Sequence, residues 1–282
     1  NWAGGTSRPR YFQIRGIGER SQYFGEGAPN FSVGFILDDM ELSGLGMLGN
    51  LFDLNQIEVF RGPMSSVFGT NSLAGLISLR SNNPGDTLRL KSLLSSGTDN
   101  YLSLGTMLNL PVNNKLQFRF SGSILQSDGF RYNKFRESSD SNKKDEQLIR
   151  VKLNYKPLKN FKVLSTLIYA ELDNGYDSWA PDNNTDFHTY SDDNGEDSQK
   201  TFGGSVRINL NSSNKYKFTS ISAYTKTNLI HSYDGDWAND QYWNSNHGFD
   251  PQVEGWSYEF FDKNHKERKS TSQDFRLSFH DL

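Results

Sequence analysis

Eight aromatic side chains fall within residues 234–268: Trp237, Tyr242, Trp243, Phe249, Trp256, Tyr258, Phe260 and Phe261. Asp and Asn are interleaved with them. Flat rings beside carboxylates and amides suit sugars, aryl chelates and other flat ligands. Trp237, Tyr242, Trp243, Trp256 and Tyr258 are therefore candidate ligand contacts. The same rings can instead pack on one another or form an interfacial girdle. Either way, they are too many for a disordered loop, so the segment is expected to fold on itself or cover an opening. A second stretch, 174–199, carries Asp177, Asp182, Asp186, Asp192, Asp193, Glu196 and Asp197 and no Lys or Arg. Such a run can bind Ca²⁺, repel anions or simply be solvated. Its spacing fits no EF-hand frame.

Other chemistries are excluded more firmly. Gly44-x-Gly46-x-x-Gly49 fits a dinucleotide fingerprint, but DDMELS separates it from the preceding apolar run, and only about eight residues remain for a helix. A nucleotide-binding unit needs its glycines directly after the strand and a longer crossover helix. His188, His231, His247, His265 and His280 show no metal-ligand spacing. There is no cysteine and no G-x-S-x-G elbow. No catalytic residue, metal site or cofactor is expected, and nothing argues for an enzyme. A net charge of −3 gives no electrostatic case for nucleic acid.

The elements that must position these loops are strands. After Pro84, segments of roughly ten residues alternate polar and apolar side chains. Leu116, Phe118, Phe120 and Ile124 oppose Lys115, Gln117, Arg119 and Ser121. Phe202, Val206, Ile208 and Leu210 oppose Gly203, Ser205, Arg207 and Asn209. Phe275, Leu277 and Phe279 oppose Asp274, Arg276 and His280, and Leu102, Leu104, Leu108 and Leu110 share a face. Period two puts each set on one side of a sheet. Segments 161–172 and 216–230 alternate less cleanly. About eight strands fit between residues 87 and 281. Their connectors alternate between short turns (111–114, 156–160, 211–214) and long polar segments (128–146, 174–200, 234–268). Short turns on one side and long loops on the other is the arrangement of outer-membrane barrels; the competing reading is a soluble all-β protein. Mean hydropathy is −0.70, and no apolar run is long enough for a membrane helix. Barrel strands need none, because lipid-facing and lumen-facing residues alternate.

Residues 1–84 differ in texture and hold 13 of the 25 glycines. A barrel of about eight strands has no room for an internal domain; that needs something near the 22-stranded, plugged class. Either these residues hang outside a small barrel, or the chain is the front portion of a large one. We favour the second reading, since an open sheet edge is not viable in lipid. The chain starts at Asn1 with no visible targeting segment, which reads as a mature or trimmed portion of something longer.

The stretch IEVFRGPMSSVFGTNSLAGLISLRSNNP (57–84) resembles the end of the plug domain of TonB-dependent outer-membrane receptors. FQIRGIG (12–18) and VGFILDDMEL (33–42) resemble other parts of that plug. The resemblance covers residues 8–84 closely and the rest by texture. It implies a mostly β fold: a transmembrane antiparallel β-barrel with an N-terminal α+β plug, residues 1–84 being plug and 85–282 the first strands of barrel. It implies that Arg15 and Arg61, each standing before glycine, lock plug to wall by pairing with barrel glutamates, here on strands after Leu282. Bidentate arginine–carboxylate pairs suit a joint that must hold and yet separate. Gly62, Gly69 and Gly75 would serve the turns and close approaches of that lock. It further implies the outer membrane of a Gram-negative bacterium, outer-membrane lipid and TonB as partners (TonB acting through a segment not in this chain), and a scarce large solute such as a metal–siderophore complex as ligand. Alternatives from other classes are a passive outer-membrane channel or adhesin, and a soluble all-β carbohydrate-binding protein.

Overall fold

The computed structural model describes residues 12–17, 31–48, 50–65, 71–177, 179–212 and 216–279. Two sheets dominate it. The first is small and N-terminal, with four strands: β1 (Val33–Leu37), β2 (Met40–Glu41), β3 (Leu54–Arg61) and β4 (Gly75–Ser81), in the order β2-β1-β4-β3. β1 runs parallel to β4, whereas β2 and β3 are antiparallel to their neighbours. Central strands β1 and β4 are nearly continuous apolar runs, VGFIL and GLISL, as strands covered on both faces must be.

Asp38 and Asp39 join β1 to β2. Both have positive φ, 46° and 72°, and Leu37 pairs Met40 across them. A two-residue hairpin requires left-handed backbone at both positions, and Asp tolerates it better than most residues. The two acids of VGFILDDMEL are therefore the tip of a tight hairpin. Gly44, from the nucleotide-like motif, also has positive φ (76°), and the Phe31 ring lies where a side chain would go. Only a 3-10 turn, Gly46–Leu48, follows it.

The second sheet has eight antiparallel strands. In chain order these are β5 (Arg89–Ser96), β6 (Leu102–Pro111), β7 (Leu116–Ser127), β9 (Lys144–Leu158), β10 (Phe161–Gly175), β12 (Glu196–Ser212), β13 (Tyr216–Asp234) and β14 (Phe261–Phe279), each paired with the next. The two-residue strands β8 (Tyr132–Asn133) and β11 (His188–Thr189) pair in parallel between the first two long loops.

Side-chain phase divides the large sheet into two faces. Outward lie Leu104, Phe120, Ile124, Ile149, Leu167, Phe202, Val206, Leu210, Phe275 and Leu277, large apolar groups left exposed. Exposed aromatics bound this band: Tyr155, Tyr216 and Phe279 near the short turns, Tyr169, Phe202 and Tyr224 toward the long loops. Past the second row the same face turns charged, with Lys200–Glu171 at 2.7 Å and Lys226–Glu267 at 3.1 Å. Inward lie Gln117, Asn154, Thr166, Thr201, Ser205 and Thr225, polar and buried.

All three long loops are shorter than the sequence expectation. β9 starts at Lys144, so the first ends there and not at 146. β10 continues to Gly175 and β12 starts at Glu196, so the second long loop is shorter than 174–200. β14 starts at Phe261, so the third ends there and not at 268. Among the described residues no helix is long and apolar enough to cross a membrane.

Candidate functional site

The small sheet sits against the inward face of the large one. A single apolar core joins them: Phe35, Leu37, Met40, Leu42 and Leu79 pack with Leu148, Ile168, Ala170, Ala223 and Leu229 of the wall. Close approach needs small residues opposite. A Cβ on Gly203 would lie 3.0 Å from Met40 Sδ, and one on Gly105 would lie 2.6 Å from the Phe52 ring.

Around this core runs a set of ion pairs in which the N-terminal sheet supplies the acids and the wall supplies the cations. At the hairpin tip, Asp38 Oδ1 accepts from the Ser81 amide (2.9 Å) and from Lys152 Nζ (3.2 Å), and its Oδ2 accepts from Ser81 Oγ at 2.5 Å. Arg150 Nε lies 3.9 Å from the same carboxylate. Asp38, Arg150 and Lys152 are all buried. Asp39 takes a two-pronged contact from Arg207 of β12. Glu41 pairs with Arg268 of β14 at 2.5 Å, and that guanidinium also caps the Ser43 carbonyl and lies over the Phe31 ring. Asp53 receives Arg119 of β7 in a bidentate pair, 2.8 and 2.5 Å. Four acids thus reach cations on four wall strands. Fixed by the strand ladder, the cations need little ordering to meet them.

The predicted arginines sit elsewhere. Arg15 and Gly16 form the centre of a tight turn closed by reciprocal Ile14–Ile17 hydrogen bonds, with φ of 54° and 78°. Arg61 ends β3. Both side chains are exposed, and no carboxylate among the described residues pairs with either. Gly62 (φ 108°) donates its amide to the Ala74 carbonyl. Gly75 (φ 153°) stands where a Cβ would run into the Phe60 carbonyl oxygen and lie 2.6 Å from Ile14 Cδ1. Gly69 lies outside the described residues. Sequence reasoning missed the acidic set. Its available signal was phase: Arg119 and Arg207 were already on the polar face of strands otherwise rich in small neutral residues.

At the long-loop end the three loops are stitched together. The Asn133 side-chain amide donates to the Ser191 carbonyl (2.7 Å), the Asp192 amide to the Ala238 carbonyl (3.1 Å) and the Asn239 side-chain amide to the Tyr190 carbonyl (2.6 Å). The third loop carries helix α1 (Asp240–His247), capped by Asn239 and ended by Gly248, and a single turn α2 (Pro251–Glu254), capped by Asp250 and ended by Gly255. The aromatic set divides. Trp243 stacks on Tyr258 (5.1 Å), and Trp256 joins Tyr258 (4.9 Å) and Phe249 (4.7 Å). Tyr242 bridges to Tyr190 at 4.6 Å. Trp237 stands apart, stacked on Trp179 at 5.8 Å. The loop folds on itself, while Trp237, Trp256 and Tyr258 keep exposed faces.

The carboxylates of Asp192, Asp234 and Asp236 offer oxygens all within 4.8 Å of one another, the spacing a single hard cation would need. Asp234 Oδ1 accepts the amides of Asp236 and Trp237, and the Asp236 carboxylate lies beside it. Burial, and then the neighbouring Asp236, push the Asp234 carboxyl up to about 8.

A folded insert held on the polar face of an outward-apolar antiparallel wall is the architecture of a plugged outer-membrane barrel. No family model matches the chain. The vitamin B12 transporter BtuB of Vibrio vulnificus is 25% identical over 187 residues, 62% of this chain and 30% of that protein. The siderophore receptor PiuA of Acinetobacter baumannii superposes with a TM-score of 0.70 at 15% identity, covering 99% of this chain and 38% of PiuA. The ferric yersiniabactin uptake receptor FyuA of Yersinia pestis gives 0.64 at 18% identity over 72% of this chain and 33% of FyuA. The chain spans about a third of the length of these relatives. The chain shares the fold of these receptors and is similar in sequence to the transporter, in keeping with its resemblance to TonB-dependent outer-membrane receptors.

Proposed function

We propose that the complete protein takes up a scarce, large solute, a ferric siderophore above all, by capturing it at the loop cap and moving it past a displaced plug. Residues 1–84 act as plug in this reading, and 85–282 as the first part of the wall that encloses it. The observation that carries it is the plug–wall joint. Its acids and cations are paired well enough to seal, yet an ion pair can be replaced by water or by another ion when the plug moves. TonB, acting through a segment outside these residues, would supply the pull. The plug is the part to yield, because unzipping wall strands breaks whole ladders of hydrogen bonds. The exposed faces of Trp237, Trp256 and Tyr258, with Tyr242 and Trp243 behind them, are the proposed ligand contacts. Vitamin B12 and copper, named for relatives, are the competing cargoes.

Arg15 and Arg61 retain their proposed role as partners for wall glutamates, with Gly62, Gly69 and Gly75 shaping the turns around them. Arg61→Ala in the complete receptor should raise leakage of large antibiotics; unchanged leakage would remove Arg61 from the lock. For the function itself, growth under iron limitation is compared with and without the gene, supplying ferric siderophores one at a time. Gene-dependent growth on one of them supports the proposal. Uptake that persists without TonB would point to a passive channel instead.

A further inference from the structure

At the short-turn end, under the acidic hairpin, the plug and wall partly enclose a cavity of about 950 Å³. Its walls include the strand ends at Lys115, Lys156, Lys162 and Lys217, with Lys159 in the turn between. The phase of each strand-end lysine is informative. Lys115 keeps step with inward Gln117 and Arg119, Lys156 with Lys152 and Asn154, Lys162 with Thr166 and Ile168, and Lys217 with Thr219 and Ile221. All four therefore point to the lumen and not to lipid, which rules out bilayer headgroups as the reason for them.

The arrangement is unfavourable by itself. Leu116 pairs Tyr155, and the Lys156 amide donates to the Lys115 carbonyl at 2.7 Å, so these two lysines are cross-strand neighbours. Like charges opposite one another destabilise a sheet. Lys162 feels Lys156, Arg207 and Lys217 as like charges. Among the described residues the carboxylates lining the cavity, Asp38 and Asp39, are already engaged by Lys152 and Arg207. None of the five lysines has an ion-pair partner among the described residues. Turn lysines on an outer surface would need no explanation, because water solvates them. Five gathered around one partly enclosed space, with no unengaged acid among the described residues lining it, leave room for a mobile counter-charge.

We infer that this cavity is a vestibule that binds small, multiply charged anions bearing carboxylate, phosphate or sulfonate groups. The plug acids already occupy the wall cations above it. When the plug moves, Arg150, Lys152 and Arg207 are uncovered and continue the same positive track downward. The substrate class that follows, an anionic solute released through a cationic exit, rests on the transport reading above; the binding site does not.

The test uses the complete receptor purified in detergent, with the trisulfonated dye pyranine as probe and fluorescence anisotropy as readout. Wild type should bind pyranine with an affinity that falls as salt rises. The double change K162Q/K217Q should weaken binding about tenfold or more, while K162R/K217R should retain it; heat-modifiable gel mobility checks that each barrel is folded. Pyranine affinity unchanged in K162Q/K217Q, an equal loss in K162R/K217R, or equally tight binding of a cationic dye would each overturn the vestibule. If the lysine-dependent site is present but the receptor carries no solute, the transport reading fails and the site stands. If uptake is intact and pyranine ignores these lysines, the site fails alone.

Discussion

Asp38 is where a small chemical change should speak most directly to the proposed plug joint. Asn at this position keeps the left-handed turn (φ 46°) and an oxygen for the Ser81 amide, so the hairpin itself is spared. What disappears is the negative charge between two buried cations. At 3.2 Å the Lys152 pair alone is worth about 5 kcal/mol at an effective dielectric of 20. Stranding a buried partner costs about 3–5 kcal/mol in measured cases. Taking the lower figure, the balance between seated and displaced plug shifts about 100-fold in Asp38→Asn. Hydrogen exchange of β1 and β4 amides in the complete receptor reads this as faster plug opening, and planar-bilayer conductance reads it as more frequent large events. Lys152→Met in the Asp38→Asn background should recover part of the loss, and only part, because Arg150 at 3.9 Å stays uncompensated. Exchange and conductance equal to wild type in Asp38→Asn would refute the argument that charge pairing sets the seal.

Three further outcomes are expected from the packing and burial described above. Gly75→Ala places a Cβ against the Phe60 carbonyl at a φ of 153°, so the plug sheet should lose its protection from protease while the wall stays heat-modifiable. Gly105→Ala should lower the thermal midpoint by pushing Phe52 off the wall, at about 1–3 kcal/mol. The loop cap should loosen as pH rises. Asp234 is raised in the folded state, to about 8, so the folded cap holds a proton that the unfolded chain releases near 4. Stability from this group is therefore full below about 4 and lost as pH climbs through about 8. Fluorescence of the stacked Trp237–Trp179 pair should report the change between pH 6 and 9, and Asp234→Asn should flatten it.

How much of this was legible in the chain depended on the solvent each face meets. Where a strand lies in lipid, one face must be apolar and the other is polar, and the alternation of Leu116–Ile124 and Phe202–Leu210 gives the strand away. Where the same strand rises out of the membrane, its outward residues become Glu171, Asp173 and Lys200, and the alternation fades although the ladder continues to Gly175 and from Glu196. Residues 174–175 and 196–200 therefore read as loop, as did 261–268, for lack of a lipid boundary rather than lack of a strand. The caps of α1 and α2 stand in the sequence as Asn239 with Gly248 and Asp250 with Gly255, but helices of eight and four residues are too short to show an apolar period between them.

The polarity of the plug lock is a different case. Arg15 and Arg61 attract notice because each precedes glycine, whereas Arg119, Arg150, Lys152, Arg207 and Arg268 look like ordinary polar-face residues scattered over 150 positions. Pairing needs a partner, and theirs lie 66 to 227 residues away, on the β1–β2 hairpin and, for Arg119, at Asp53 just before β3. Asp38 and Asp39 satisfy two demands at once. A two-residue turn needs residues that tolerate positive φ, and a positive wall needs acids presented on a short, rigid arm. A solvated turn could have used Asn-Gly equally well. The choice of two acids, read together with five in-phase cations that no wall carboxylate among the described residues pairs with, is the sequence signature of an insert seated on that face.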